Sequence, residues 1–98
     1  MTVEINLTIN DTPIAEDYFV QSFIDHTVSG MIEALEGTGK IKDLNLSIDG
    51  DKVMIILNGN SIPINDFVNT IIRSTIIGMV SVLKGVSEVK KLTITLHK

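Results

Sequence analysis

The sequence contains no cysteine and no tryptophan, only two prolines and one tyrosine, and a single arginine, Arg73. Without cysteine there is no disulfide framework, no thiol nucleophile and no cysteine-bound zinc, and a reducing cytoplasm is the expected setting. The scarcity of arginine and a formal net charge of −4 leave no basic footprint for a phosphate backbone, which excludes nucleic acid as the expected partner. The N-terminal MTVEINLTIN alternates instead of carrying a basic stretch and an apolar run, so no secretory signal is expected. The sequons at Asn6, Asn10 and Asn45 then read as idle matches. The longest apolar stretch, Phe67 to Leu83, is broken by Asn69, Arg73 and Ser74, and it reads as a helix that does not span a membrane.

What the chain does have is an internal match. Residues 19–48 agree with residues 67–96 at 10 of 30 positions, and the two stretches FVQSFIDHTVSGMIEALEG and FVNTIIRSTIIGMVSVLKG are the clearest part of it. Two like units, each with one apolar face, must close on each other or on a shared sheet. The 98 residues, 44% of them hydrophobic, suffice for one domain built from two βαβ repeats, residues 1–49 and 51–98.

Period-two alternation marks four strands. In the first, Val3, Ile5, Leu7 and Ile9 alternate with Glu4, Asn6 and Thr8 over residues 2–9, and in the second Leu44, Leu46 and Ile48 alternate with Asn45 and Ser47. The third carries Val53, Ile55 and Leu57, and the fourth Leu92, Ile94 and Leu96, with Asp49 and Gly50 as a hairpin turn between second and third. Between them lie two helices, with Asp17 and Asn65 as matching N-cap candidates and Gly37 and Gly85 as matching C-terminal stops. The apolar residues of the first helix cover roughly 220°, more than a sheet needs, and the excess predicts packing beside the second helix. Gly30 and Gly78, inside the helices where glycine costs about 1 kcal/mol, predict a close approach to the sheet or to the other helix. The order of elements predicts an α+β two-layer sandwich of βαββαβ type, ferredoxin-like, with a four-stranded sheet in the order 4-1-3-2, both helices on one face, and an internal duplication.

Catalytic motifs are thin. The string Gly37 to Lys40, GTGK, ends like a phosphate-binding loop but joins a helix to a strand, the reverse of what such a loop requires. His26 and His97 have no carboxylate at metal-ligand spacing and no evident acid partner, and Asp43, Asp49 and Asp51 lack the pattern of a calcium loop. A non-enzymatic domain without cofactor or metal is expected. Two surfaces remain as candidates. Met54 and Ile56 break the polar alternation of the sheet's outer face on a strand expected to be central, which predicts contact with a protein partner or a second copy in a homodimer. The turns after the first and third strands, with Asn10 and Asp11 in one and Asn58 and Asn60 in the other, are expected at one end of the sheet, where they are the alternative, a small-ligand site.

The paired helix ends SGMIEALEG and IGMVSVLKG, in an isoleucine-rich, cysteine-free, acidic chain, resemble small uncharacterised α+β proteins of archaea. That resemblance implies a cytoplasmic domain without assigned activity, and it transfers no functional residue.

Overall fold

Alternation of branched aliphatics with Asn, Thr and Ser produces, in the computed structural model, one antiparallel sheet of six strands with two helices on its apolar face. The structure describes residues 4–14, 17–35, 40–83 and 88–98. In chain order the elements are β1 (Glu4–Ile9), β2 (Thr12–Pro13), α1 (Tyr18–Glu33), β3 (Asp43–Asp49), β4 (Lys52–Leu57), β5 (Asn60–Ser61), α2 (Asp66–Val80) and β6 (Lys91–His97). Gly37, Gly39 and Gly85, expected between helix and strand, lie outside the described residues, as does Val3. No helix among the described residues is long and apolar enough to cross a membrane.

The sheet order is β2-β1-β6-β3-β4-β5, which corrects the ferredoxin-like, four-stranded expectation. That expectation puts β1 and β4 side by side at the centre. Instead β3 pairs with β6 there, with Leu46 opposite Ile94, and β1 and β4 lie outside them. The reason is local. Asn10 and Asp11, both with positive φ (50° and 66°), fold Thr12–Pro13 back onto β1. Asn58 and Gly59 (50° and 84°) do the same for Asn60–Ser61 on β4. These are two-residue hairpins of the type that needs left-handed backbone at both turn positions. Each short strand takes the edge through which β1 and β4 would have met.

The elements recur 48 residues apart: β1 with β4, β2 with β5, α1 with α2, and β3 with β6. Exchanging each element for its counterpart reverses the sheet order and leaves it unchanged, so an approximate two-fold axis runs normal to the sheet. It passes through the central pair, because Leu46 and Ile94 are themselves counterparts.

Both helices are built alike. The Asp17 and Asn65 side chains accept hydrogen bonds from the backbone N–H of Val20 and Val68, each at 2.8 Å. These caps satisfy donors that the first turn leaves open. Ile24, Val28 and Ile32 of α1, and Ile72, Ile76 and Val80 of α2, are buried on the inward faces of Ile5, Leu7, Leu46, Ile55, Ile94 and their neighbours. Full burial of such side chains is worth about 1.5–3 kcal/mol each before ordering costs.

Gly30 and Gly78 are exposed, and a Cβ built on either meets nothing within 4 Å. The close approach expected at these positions is absent. Substituting Ala at each should therefore stabilise the isolated chain by about 0.5–1 kcal/mol per site, through helix propensity alone. Urea titration in dilute solution measures this, and a loss of stability in either variant would show an intrachain contact at that position.

Candidate functional site

Asn10 and Asn58 stand at the ends of β1 and β4, and their side chains do the same work 48 residues apart. The Asn10 carboxamide oxygen accepts from Lys90 N (2.8 Å) and Lys91 N (2.9 Å), and its Nδ2 donates to the Glu88 carbonyl (2.6 Å). The Asn58 oxygen accepts from Lys42 N and Asp43 N (both 2.9 Å), and its Nδ2 donates to the Lys40 carbonyl (2.8 Å). Each asparagine thus ties the end of a flanking strand to the segment that enters a central one. Asparagine suits both tasks, since it tolerates left-handed backbone and presents a donor and an acceptor together. Asp11 is the second turn residue beside Asn10, and Asn60 Nδ2 reaches the Asn58 carbonyl at 3.4 Å. The two loops are not brought together. β1 and β4 run antiparallel on opposite sides of the central pair, which puts Asn10 and Asn58 at opposite corners of the sheet.

His97 does have an acid partner. Its Nδ1 contacts the Asp43 carboxylate, across from it on β3, while Glu4 lies opposite on β1. The three line one exposed corner of the sheet's outer face, with Asn6, Thr95 and Asn45 in the next row. His26 is exposed on α1. Among the described residues no three of His, Asp and Glu are grouped so as to hold a metal ion. Asp51 and Gly50 are tied to α2: Asn69 Nδ2 donates to the Asp51 carbonyl (2.8 Å) and Arg73 Nε to the Gly50 carbonyl (2.7 Å). The matching place in the other half reverses the charges, with Lys98 Nζ 3.7 Å from Asp25 on α1, whose carboxylate also accepts from the buried Ser29 hydroxyl at 3.0 Å. These contacts fasten helices to the sheet.

Met54 and Ile56 do project from the outer sheet face, 54% and 43% exposed, beside Ser47, Asn45 and Ser61. β4 is the last long strand before the edge, so the pair sits off-centre instead of in the middle of the face.

The larger apolar surface lies on the helix side. Phe19 (71% exposed), Phe67 (70%) and Val82 (83%) point away from the sheet, and Phe23 and Ile71 flank them. Phe19 and Phe23 form a tilted ring pair, with centroids 6.0 Å apart. Between the N-terminal half of α1 and the C-terminal end of α2 runs a recess of about 200 Å³, lined by Phe19, Val20, Phe23, Met79, Val82 and Leu83. Its walls are almost wholly apolar. The wide arc of the first helix predicts a surplus packed beside the second helix; Val20, Met31 and Leu35 are half-buried against the core, with Val20 in the recess opposite Met79 and Leu83, while Phe19 and Phe23 face outward. Gly30, Ala34, Thr75 and Gly78 are small exposed positions of the two helices, His26 stands beside Phe19 and Phe23, and Glu33 is exposed on the same helix.

Replacing Asn58 by Ala should remove three hydrogen bonds and put a Cβ-bearing residue without local side-chain bonds in left-handed backbone, at a cost of about 2 kcal/mol. Asn58→Asp keeps the acceptor for Lys42 and Asp43 and the tolerance of left-handed backbone but sets a carboxylate oxygen against the Lys40 carbonyl, so a smaller cost than for Ala, about 1 kcal/mol, is expected. Thermal melts of the two variants check the order, and equal stability of both with the parent chain would show that the clamp is not structural. Comparison of the chain with protein-family models, with curated proteins and with solved structures gives no match.

Proposed function

We propose that this chain is a non-enzymatic interaction module that docks a protein partner through the outer face of its helix layer. The observation that carries this reading is the exposure, on the helix side, of Phe19, Phe23 and Val82 at an apolar recess and of Phe67 and Ile71 at the start of α2. Isolated exposed hydrophobics are ordinary, but two groups of aromatic and branched side chains at the two ends of one helix layer match the composition of interface cores. Burying rings of this size supplies most of the energy in such contacts, and a recess beside them is where a partner's anchor side chain lodges. Met54 and Ile56 form a second, smaller patch on the opposite face, of roughly 200 Å² of exposed side chain. That is too little to hold a partner alone. The absence of cysteine from the sequence supports placing the module in the reducing cytoplasm.

The test uses the full chain and a Phe19→Ser, Phe67→Ser double variant. Both rings are exposed, so the variant should keep the melting temperature of the parent to within a few degrees. The parent should bind a protein, another copy included, that the variant binds at least ten times more weakly, as read by immobilised-chain pull-down and by sedimentation. If the parent neither self-associates nor retains any protein that the variant fails to retain, the interaction reading is wrong.

A further inference from the structure

We infer that the occupant of this face is a second copy of the same chain, docked helix layer against helix layer, so that two sheets enclose four helices. The inference rests on the interaction-module reading and names its partner. Three observations point to self-association. First, the face carries both halves of a contact. Phe19 and Phe67 protrude, 71% and 70% exposed, and the recess between α1 and α2, about 200 Å³ and lined by Phe23, Met79 and Leu83 among others, is of a size to take one ring. A surface with its own knob and its own hole satisfies the condition for an isologous two-fold contact, in which the same patch meets itself.

Second, the internal two-fold axis through Leu46 and Ile94 runs normal to the sheet and therefore through the middle of the helix layer. Phe19 and Phe67, Phe23 and Ile71, and Gly30 and Gly78 are counterparts under it, so each half of the face carries an exposed phenylalanine ring. A second copy therefore meets an exposed ring at either end of the face. The glycines keep the middle of the face low, since their surroundings in the chain leave open space.

Third, charge and area agree. Two copies of a chain with net charge −4 repel each other, and least where few charges are brought into the contact; beside Phe19, Thr27, Gly30, Phe67, Thr75 and Gly78 the ionisable groups include His26 and Glu33. The five exposed apolar side chains alone offer roughly 600 Å² per chain, close to the 800 Å² or so that each partner buries in a stable interface.

Sedimentation velocity over a dilution series of the full chain tests this, with two variants. Phe23→Gln, Ile71→Gln alters the helix face at exposed or half-exposed positions, and Met54→Thr, Ile56→Thr alters the opposite face. The parent should sediment as a dimer in the micromolar range. The helix-face variant should dissociate about 100-fold more readily while keeping its far-UV spectrum, and the sheet-face variant should dimerise as the parent does. Phe19→Gln, Phe67→Gln replaces the first variant if that one unfolds. A parent that is monomeric at the highest reachable concentration overturns the inference. In that event, a lysate protein retained by the parent and lost with the helix-face variant leaves the interaction-module reading standing, and no such protein overturns both. A dimer broken by Met54→Thr, Ile56→Thr and not by the helix-face variants overturns the helix face as the contact.

Discussion

The pairing of β3 with β6 is the constraint on which the rest of the structure depends. It is the seam between the two halves of the chain, and along it Leu44, Leu46 and Ile48 face Leu96, Ile94 and Leu92, all buried. A slip of one residue in this register would turn each of those side chains to the open face, so the alternation that builds the strands also locks the seam. Everything else attaches to it in matched pairs. β1 and β4 add at its two sides, and the Asn10 and Asn58 clamps hold the entrances of β6 and β3 from opposite corners. The helices are then laid across a surface whose centre is already fixed.

Much of this was legible in the residues. The four long strands follow from alternation, the helix starts from Asp17 and Asn65, and the α+β class from the order of elements. The strand order was not, and the cause is physical. In both the expected and the observed sheet, β1 neighbours β6 and β3 neighbours β4. The two orders differ only in whether β1 meets β4 or β3 meets β6, and both pairs bury one face with equal alternation. What decides is whether the free edge of β1 and of β4 is taken. Asn58-Gly59 is among the strongest short hairpin signals known, and reading it as folding Asn60–Ser61 back onto β4 would have excluded β4 from the centre. Asn10-Asp11 is the weaker counterpart, since Asp is less at ease than Gly in left-handed backbone.

The candidate sites divide along the same line. Loops rich in Asn look the same in sequence whether they bind a ligand or their own backbone, and only the fold shows that Asn10 and Asn58 spend their polar atoms on strand entrances. His97 and Asp43 are 54 positions apart in sequence and meet only because β3 and β6 pair. The helix face was half legible. An apolar arc too wide for the sheet is visible in the spacing of Phe19, Val20, Phe23 and Ile24, but spacing does not say whether a neighbouring helix or another molecule covers the surplus.

Packing within the chain accounts for Ile24, Val28, Ile72 and Ile76, whose exposure is 2% or less. It does not account for rings at Phe19 and Phe67 that project into solvent, nor for two helix glycines with open space around them. Each of these features lowers the stability or raises the stickiness of an isolated chain. They also fall together on one face, and they occur in both halves at matching positions. Local rules of a stable monomer are broken where a protein does something besides fold. Here the breaks trace a single surface, centred on the same axis as the β3–β6 seam, so the symmetry that organises the core also shapes the face turned away from it.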